Sequence, residues 1–274
     1  MKIFLDSADI EEIKEAESWG IIEGVTTNPS LIKEAVDKYK KGGGKFSMED
    51  YICDVLKVMA GKSVSLEVTG NNFKEMVREG QELYDKFNPI AGNVVIKIPV
   101  DPNTGKGNDM DGIKTISELS KKGIPVNCTL IFDPEQAILA AKAGARYVSP
   151  FVGRFDDYLR EKNGIKFEKK DYFPVEGIKK DGKRIEYEGL HSGVELVQKI
   201  AKLFEKNKVQ CEIIAASIRN GQQLEDVFSA GTDIATVSFD VLKNEAKHEK
   251  TKEGMKKFMK DSVSEYRKIM KGKK

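Results

Sequence analysis

Short apolar runs alternate with amphipathic helical stretches along the whole chain, the pattern of parallel strands joined by crossover helices. Eight runs read as strands: KIFLD (2–6), GVTT (24–27), VSLEVT (64–69), VVIKI (94–98), VNCTLI (126–131), YVSPFV (147–152), EIIAAS (212–217) and IATVSF (234–239). Between them the helix signals are local. Asp133, Pro134 and Gln136 supply an N-cap, a first-turn proline and a capping-box glutamine, with Gly144 closing that helix. Ser47 with Asp50 opens another helix, MEDYICDVLKVMA, which stops at Gly61. Eight strands without a visible linker predict one α/β domain over residues 1–274, a (β/α)8 TIM barrel rather than an open sheet. Two stretches depart from the repeat: a glycine-rich polar loop at 101–111 and a charged, turn-rich insertion at 160–192 between strands six and seven. Within the insertion, Asp181-Gly182 predicts a β-hairpin on the barrel rim, to cover the site or to serve subunit contacts. Residues 241–274 are expected to be a C-terminal helical segment with a basic end.

Strand side chains alternate between faces, so parity sorts them. Ser65, Glu67 and Thr69 oppose Val64, Leu66 and Val68; Asn127, Thr129 and Ile131 oppose Val126, Cys128 and Leu130. Asp6 opposes Ile3 and Leu5, Lys97 opposes Val94, Ile96 and Ile98, and Ser149 with Phe151 opposes Val148. One face is apolar, for helices to cover. The other carries polar groups toward the C-terminal strand ends, where a parallel sheet buried on both sides would be apolar throughout and where barrel enzymes place their sites.

The lone lysine within VVIKIP is the sharpest of these signals. Burial disfavours an ammonium and favours the neutral amine that attacks a carbonyl to form a Schiff base. The plainer alternative is a lysine that snorkels to water or pairs with a carboxylate. Schiff-base chemistry needs proton transfers, which Asp6, Glu67 and Thr129 could supply, or these groups could simply pair with Lys97 and satisfy the core. Asn28, in VTTNPS between strand and helix, reads equally as a ligand and as a helix cap. Arg154 after strand six and Ser217 with Arg219 after strand seven form a second cluster, of the kind that late barrel loops use for phosphate; singly, each arginine reads as a surface charge.

Composition narrows the setting. With 46 basic and 44 acidic side chains the formal charge is +2, so nothing favours nucleic acid or an anionic membrane, and a small-molecule partner is expected. Cys53, Cys128 and Cys211 lie in apolar stretches without metal-ligand spacing, which predicts reduced thiols in a cytoplasmic protein. MKIFLDSADIEE turns acidic too early for a signal peptide. His191 and His248 are the only histidines and belong to no zinc motif, so no metal is expected.

FLDSADIEEIKEA, GVTTNPSL, VVIKIP, NCTLIF, YVSPFVGR and AASIRN together resemble the transaldolase family and the related fructose-6-phosphate aldolases. The resemblance implies a (β/α)8 barrel and a class I mechanism without metal or organic cofactor. By it, Lys97 matches the Schiff-base lysine, Asp6 the acid/base aspartate, and Glu67 with Thr129 the pair that holds the catalytic water. Asn28, Asn127 and Ser149 match residues that bind the hydroxyls of a dihydroxyacetone unit, and Arg154, Ser217 and Arg219 the phosphate group. The aldolase branch carries glutamine, alanine and tyrosine where Glu67, Ser149 and Phe151 stand here, so the resemblance is to the transaldolase side. It implies transfer of dihydroxyacetone from sedoheptulose 7-phosphate or fructose 6-phosphate to an aldose phosphate, as in the pentose phosphate pathway. The alternatives are an aldolase-like lyase and a non-catalytic phosphosugar-binding barrel. Relatives use C-terminal helices to cover the site or pack on neighbouring subunits, so a homo-oligomer is expected.

Overall fold

The computed structural model describes residues 1–41, 46–105, 108–264, 266 and 269. Its strands are β1 (Lys2–Asp6), β2 (Gly24–Thr26), β3 (Ser63–Glu67), β4 (Val94–Pro99), β5 (Val126–Ile131), β6 (Tyr147–Pro150), β7 (Lys179–Lys180), β8 (Lys183–Arg184), β9 (Glu212–Ile218) and β10 (Ile234–Val237). All but β7 and β8 pair in parallel and close into a barrel in chain order, β10 returning to β1. Each of the eight predicted runs is one barrel strand, and the fold is the predicted (β/α)8 barrel.

Helices α1 (Ile10–Ser18), α2 (Pro29–Lys41), α3 (Met48–Val58), α4 (Phe73–Ala91), α5 (Asp111–Lys121), α6 (Pro134–Lys142), α7 (Val152–Lys162), α8 (Gly193–Asn207), α9 (Gly221–Ser229), α10 (Phe239–Glu245) and α11 (Glu249–Asp261) complete the described elements. The predicted caps are present: Asp133 accepts from Gln136 N at 2.8 Å and Ser47 from Asp50 N at 3.2 Å. No described helix is long and apolar enough to cross a membrane. Residues 106 and 107 of the polar loop after β4, and part of the C-terminal segment, lie outside the described residues.

Two apolar layers set the height of the site. Outward-facing Leu5, Val64, Leu66, Ile96, Ile98 and Val126 join the helices in the main core. Inside the barrel, Phe4, Val95, Tyr147, Ile214 and Ile234 form a separate buried cluster. On their strands these five stand two residues before Asp6, Lys97, Ser149, Ala216 and Thr236, so period-two alternation puts the second set on the same inner face, one step nearer the C-terminal mouth. Phe4 fills the lumen because Gly24 has no side chain: a Cβ there would lie 2.6 Å from the Phe4 ring. The apolar layer closes the floor, and the polar residues line the space above it.

Parity fails at two points. Leu130 adopts φ +59° where the β5–β6 register shifts, and Ile131, assigned by alternation to the polar face, instead joins the main core. Thr69 lies past the end of β3, its hydroxyl on Glu79 Oε2 at 3.3 Å. Phe151 lies past β6 at the start of α7 yet keeps the expected side, lining the same space as Ser149.

The insertion begins later than its charge pattern implies, because α7 continues through Lys162. Its hairpin forms as predicted, Lys179 opposite Arg184, with Asp181 and Gly182 at φ +51° and +78°, the left-handed pair that a type I′ turn requires. It is not purely polar, since Phe173, Ile185 and Leu190 are buried in the main core.

Candidate active site

A cavity of about 370 Å³ opens above the apolar floor. Asp6, Asn28, Lys97, Ser149, Phe151, Arg154, Ser217 and Arg219 line it, so eight of the eleven site residues expected from sequence share one wall. Two of the other three adjoin it through residues that line it, Glu67 on Lys97 and Asn127 on Ser149. Thr129 is not among its lining and stands opposite Pro99 at the end of β4.

Lys97 is 4% exposed, and its Nζ lies 3.0 Å from Glu67 Oε2 and donates to Thr27 O at 3.1 Å. The register makes this pairing local, with Glu67 opposite Lys97 on β3 and β4. Carboxylate pairing, one of the two readings open for an isolated lysine, is therefore present, and it holds the amine at the base of an open cavity. Asp6 accepts from Thr26 Oγ1 at 2.8 Å. Burial pushes its carboxyl above the ordinary carboxylate range, against the opposing pull of Lys97, the Thr26 hydroxyl, Arg154 and Arg219. Ser149 Oγ donates to Asn127 Oδ1 at 2.7 Å, and Asn127 Nδ2 to Ser65 Oγ at 3.3 Å, a chain that fixes the asparagine orientation beside Lys97. The Thr129 hydroxyl is buried without a hydrogen-bond partner among the described residues. Asn28 caps α2, accepting from Leu31 N at 3.0 Å, and also lines the cavity; the two readings of it are compatible.

The cationic side of the cavity is built from β9 and α7. Arg154 lies 5.0 Å over the Phe151 ring, and Arg219 pairs with Asp157 at 2.9 Å. Arg219 Nε is buried without a partner among the described residues. Ser217 reaches the cavity through φ +63°, beside a register shift between β9 and β10. For a serine the left-handed region costs about 1–2 kcal/mol. Ser217→Gly is expected to remove a hydroxyl from the cavity and raise KM, while stability stays level or rises by up to about 1 kcal/mol. Ser217→Ala should raise KM with no such gain, as urea unfolding and steady-state kinetics would show.

Behind Arg219 lies a relay that sequence reading missed. Arg219 N donates to Gln223 Oε1 at 2.9 Å, Gln223 Nε2 to Asp156 Oδ2 at 2.7 Å, and Gly193 N to Asp156 Oδ1 at 2.7 Å. Asp156 thus ties the start of α8 to the loop that carries Arg219. Burial pushes its carboxyl up to about 7, with the Gly193 N–H, Arg160 and Gln223 pulling the other way. Asp156→Asn must set an amide N–H against Gly193 N–H or Gln223 Nε2; turning Gln223 over only moves the clash to Arg219 N. We expect a loss of about 1–3 kcal/mol in urea unfolding, with a higher KM. A signal was available: Asn220 and Gln223 repeat the spacing of Asp133 and Gln136, and both glutamines reach back to the N–H one residue before the cap. Lys169 and Lys170 of the insertion also line the cavity and had no sequence signal.

A closed barrel with its titratable groups gathered at the C-terminal mouth defines a barrel enzyme. The family model described as Transaldolase/Fructose-6-phosphate aldolase matches residues 3–271, and the chain belongs to that family. Similar proteins include "Probable transaldolase" of Thermoplasma acidophilum, 39% identical over 262 residues, 95% of either chain. Its namesake in Chlorobium phaeobacteroides is 38% identical over 262 residues, 96% of this chain and 97% of its own. That of Aquifex aeolicus is 36% identical over 261 residues, 95% of this chain and 96% of its own.

Proposed function

We propose that the protein is a transaldolase that moves a dihydroxyacetone unit from a ketose phosphate to an aldose phosphate through a Schiff base on Lys97. The observation that carries this reading is the placement of the buried Lys97 amine, with Glu67 at 3.0 Å, at the base of a cavity that Asp6 and the Arg154–Arg219 cluster also line. The amine adds to the donor's ketone and water leaves, giving an iminium. Asp6 takes the proton of the C4 hydroxyl as the C3–C4 bond breaks, so the aldehyde half departs and the three-carbon half stays as an enamine. The enamine then attacks the acceptor aldehyde, and water returns to free the new ketose. Glu67 and Thr129 hold that water, Asn28, Asn127 and Ser149 hold the hydroxyls, and Arg154, Ser217 and Arg219 hold the phosphate.

Phe151 and Glu67 favour transfer over the lyase alternative. A tyrosine hydroxyl at position 151 could help protonate the enamine and release free dihydroxyacetone; the Phe151 ring, 9% exposed and 5.9 Å from Phe132, offers no proton. Phe151→Tyr is expected to raise acceptor-independent cleavage on the order of ten-fold, about 1.4 kcal/mol of barrel-mouth proton transfer. The assay is glyceraldehyde 3-phosphate formation from fructose 6-phosphate with and without erythrose 4-phosphate. Acceptor-dependent turnover in the wild type supports the transferase, and equal rates without acceptor would make it a lyase.

A further inference from the structure

The insertion carries a cationic apex that is built into place. Arg160, 4% exposed, donates through Nη2 to Asp171 O at 3.1 Å and Tyr172 O at 2.8 Å. The rings of Phe167 and Phe173 lie 5.1 and 4.9 Å from its guanidinium carbon. The chain between those phenylalanines therefore wraps a buried arginine, and it is pinned on the far side by Asn220 Nδ2 to Lys170 O at 3.2 Å and by Tyr172 Oη to Asp226 Oδ2 at 2.8 Å. Lys169 and Lys170 stand at the turn of that wrap and face the active-site cavity. Neither they nor Arg154 has a carboxylate within ion-pair distance among the described residues, whereas Arg219 has Asp157 and Lys97 has Glu67. Three cations at one cavity, none at ion-pair distance from a carboxylate among the described residues although Asp6 and Asp240 also line it, favour an anionic ligand.

Arg154, Lys169 and Arg219 form a wall with two sides. On one side is the site cavity; on the other is a second cavity of about 730 Å³, lined also by Phe132, Tyr158 and Tyr187 and by the carboxylates Asp157 and Glu161, so the cations are in excess on the side of the site cavity, where Lys170 joins them. We propose that this wall is a two-anion site, in which Lys169 and Lys170 extend the phosphate cluster to receive a second negative group of the same ligand. The ligand class is a phosphorylated sugar that carries a further phosphoryl or carboxylate group. This deepens the reading of Arg154 and Arg219 as phosphate-binding residues and rests on it.

The test compares inorganic phosphate with tripolyphosphate by calorimetry on the intact protein at low salt. Tripolyphosphate should bind at least about ten-fold tighter than phosphate, and the Lys169→Ala/Lys170→Ala double variant should cut that advantage below about three-fold while moving the phosphate Kd less than about two-fold. Both lysines are exposed, so the variant is expected to fold. Lys166→Ala/Lys179→Ala, which removes the same charge from the insertion away from the cavity, should leave both affinities unchanged. Equal affinity for the two anions, an advantage that survives in the double variant, or equal loss of both ligands would overturn the two-anion site. Failure of phosphate itself to bind the wild type would sink the phosphate assignment of Arg154 and Arg219 along with it.

Discussion

Lys97→Met is expected to abolish covalent trapping of substrate and to lower kcat by about 10⁴-fold or more, about 5.5 kcal/mol of barrier, because among the described residues no other amine lies on the cavity floor. Lys169 and Lys170 also line the cavity but lie on the insertion, at its rim. The substitution has a second consequence. It leaves the Glu67 carboxylate beside Lys97 mostly buried and without its cation, and breaking one side of such a pair costs about 3–5 kcal/mol of stability. The informative comparison is therefore Lys97→Met with Lys97→Met/Glu67→Gln. The double variant should recover much of the stability in urea unfolding and none of the activity. A Lys97→Met protein that is folded and retains more than about one hundredth of wild-type kcat would exclude an obligatory Schiff base.

Asp6→Asn should stop the reaction at a later point. An amide cannot take the C4-hydroxyl proton, so cleavage slows by about 10²–10⁴-fold while the amine still condenses with the ketone. Borohydride should then capture the whole six-carbon donor on Lys97 in the variant. The pH profile gives an independent check. Since Asp6 must be ionised to accept the proton, and burial raises its pKa from the ordinary range, kcat/KM should fall on acidification through a limb displaced above that of an ordinary aspartate. Arg154 opposes that rise, so Arg154→Gln should move the limb to still higher pH. A limb that moves to lower pH in Arg154→Gln would assign it to another group.

How much of this could be read from sequence depends on the range over which each feature is determined. The barrel was legible because strand runs and caps such as Asp133 with Gln136 are short-range, and Lys97 was legible because one polar residue among Val94, Ile96 and Ile98 breaks a local rule. Alternation fails where the backbone departs from it. At Leu130 and Ser217 positive φ shifts the register, so Ile131 turns to the core, and Ser217 faces the cavity although its neighbour Ala216 does too. The insertion was the least legible part. Its charges suggest a solvated loop, but its course is set by contacts remote in sequence: Arg160 between two phenylalanines, Tyr172 on Asp226 and Lys170 on Asn220. Only those contacts bring Lys169 and Lys170 to the mouth. Asn28 shows the converse: from sequence a helix cap and a ligand-binding side chain are alternatives, and in the fold one residue both caps α2 and lines the cavity.

Covalent catalysis by Lys97 is decided by borohydride reduction of the protein mixed with fructose 6-phosphate, followed by peptide mass mapping. A three-carbon adduct is expected on the peptide that contains Lys97 and is expected to be absent from Lys97→Met/Glu67→Gln. A folded, phosphate-binding protein that turns over the donor yet yields no adduct, or one whose adduct maps to another lysine, would contradict it.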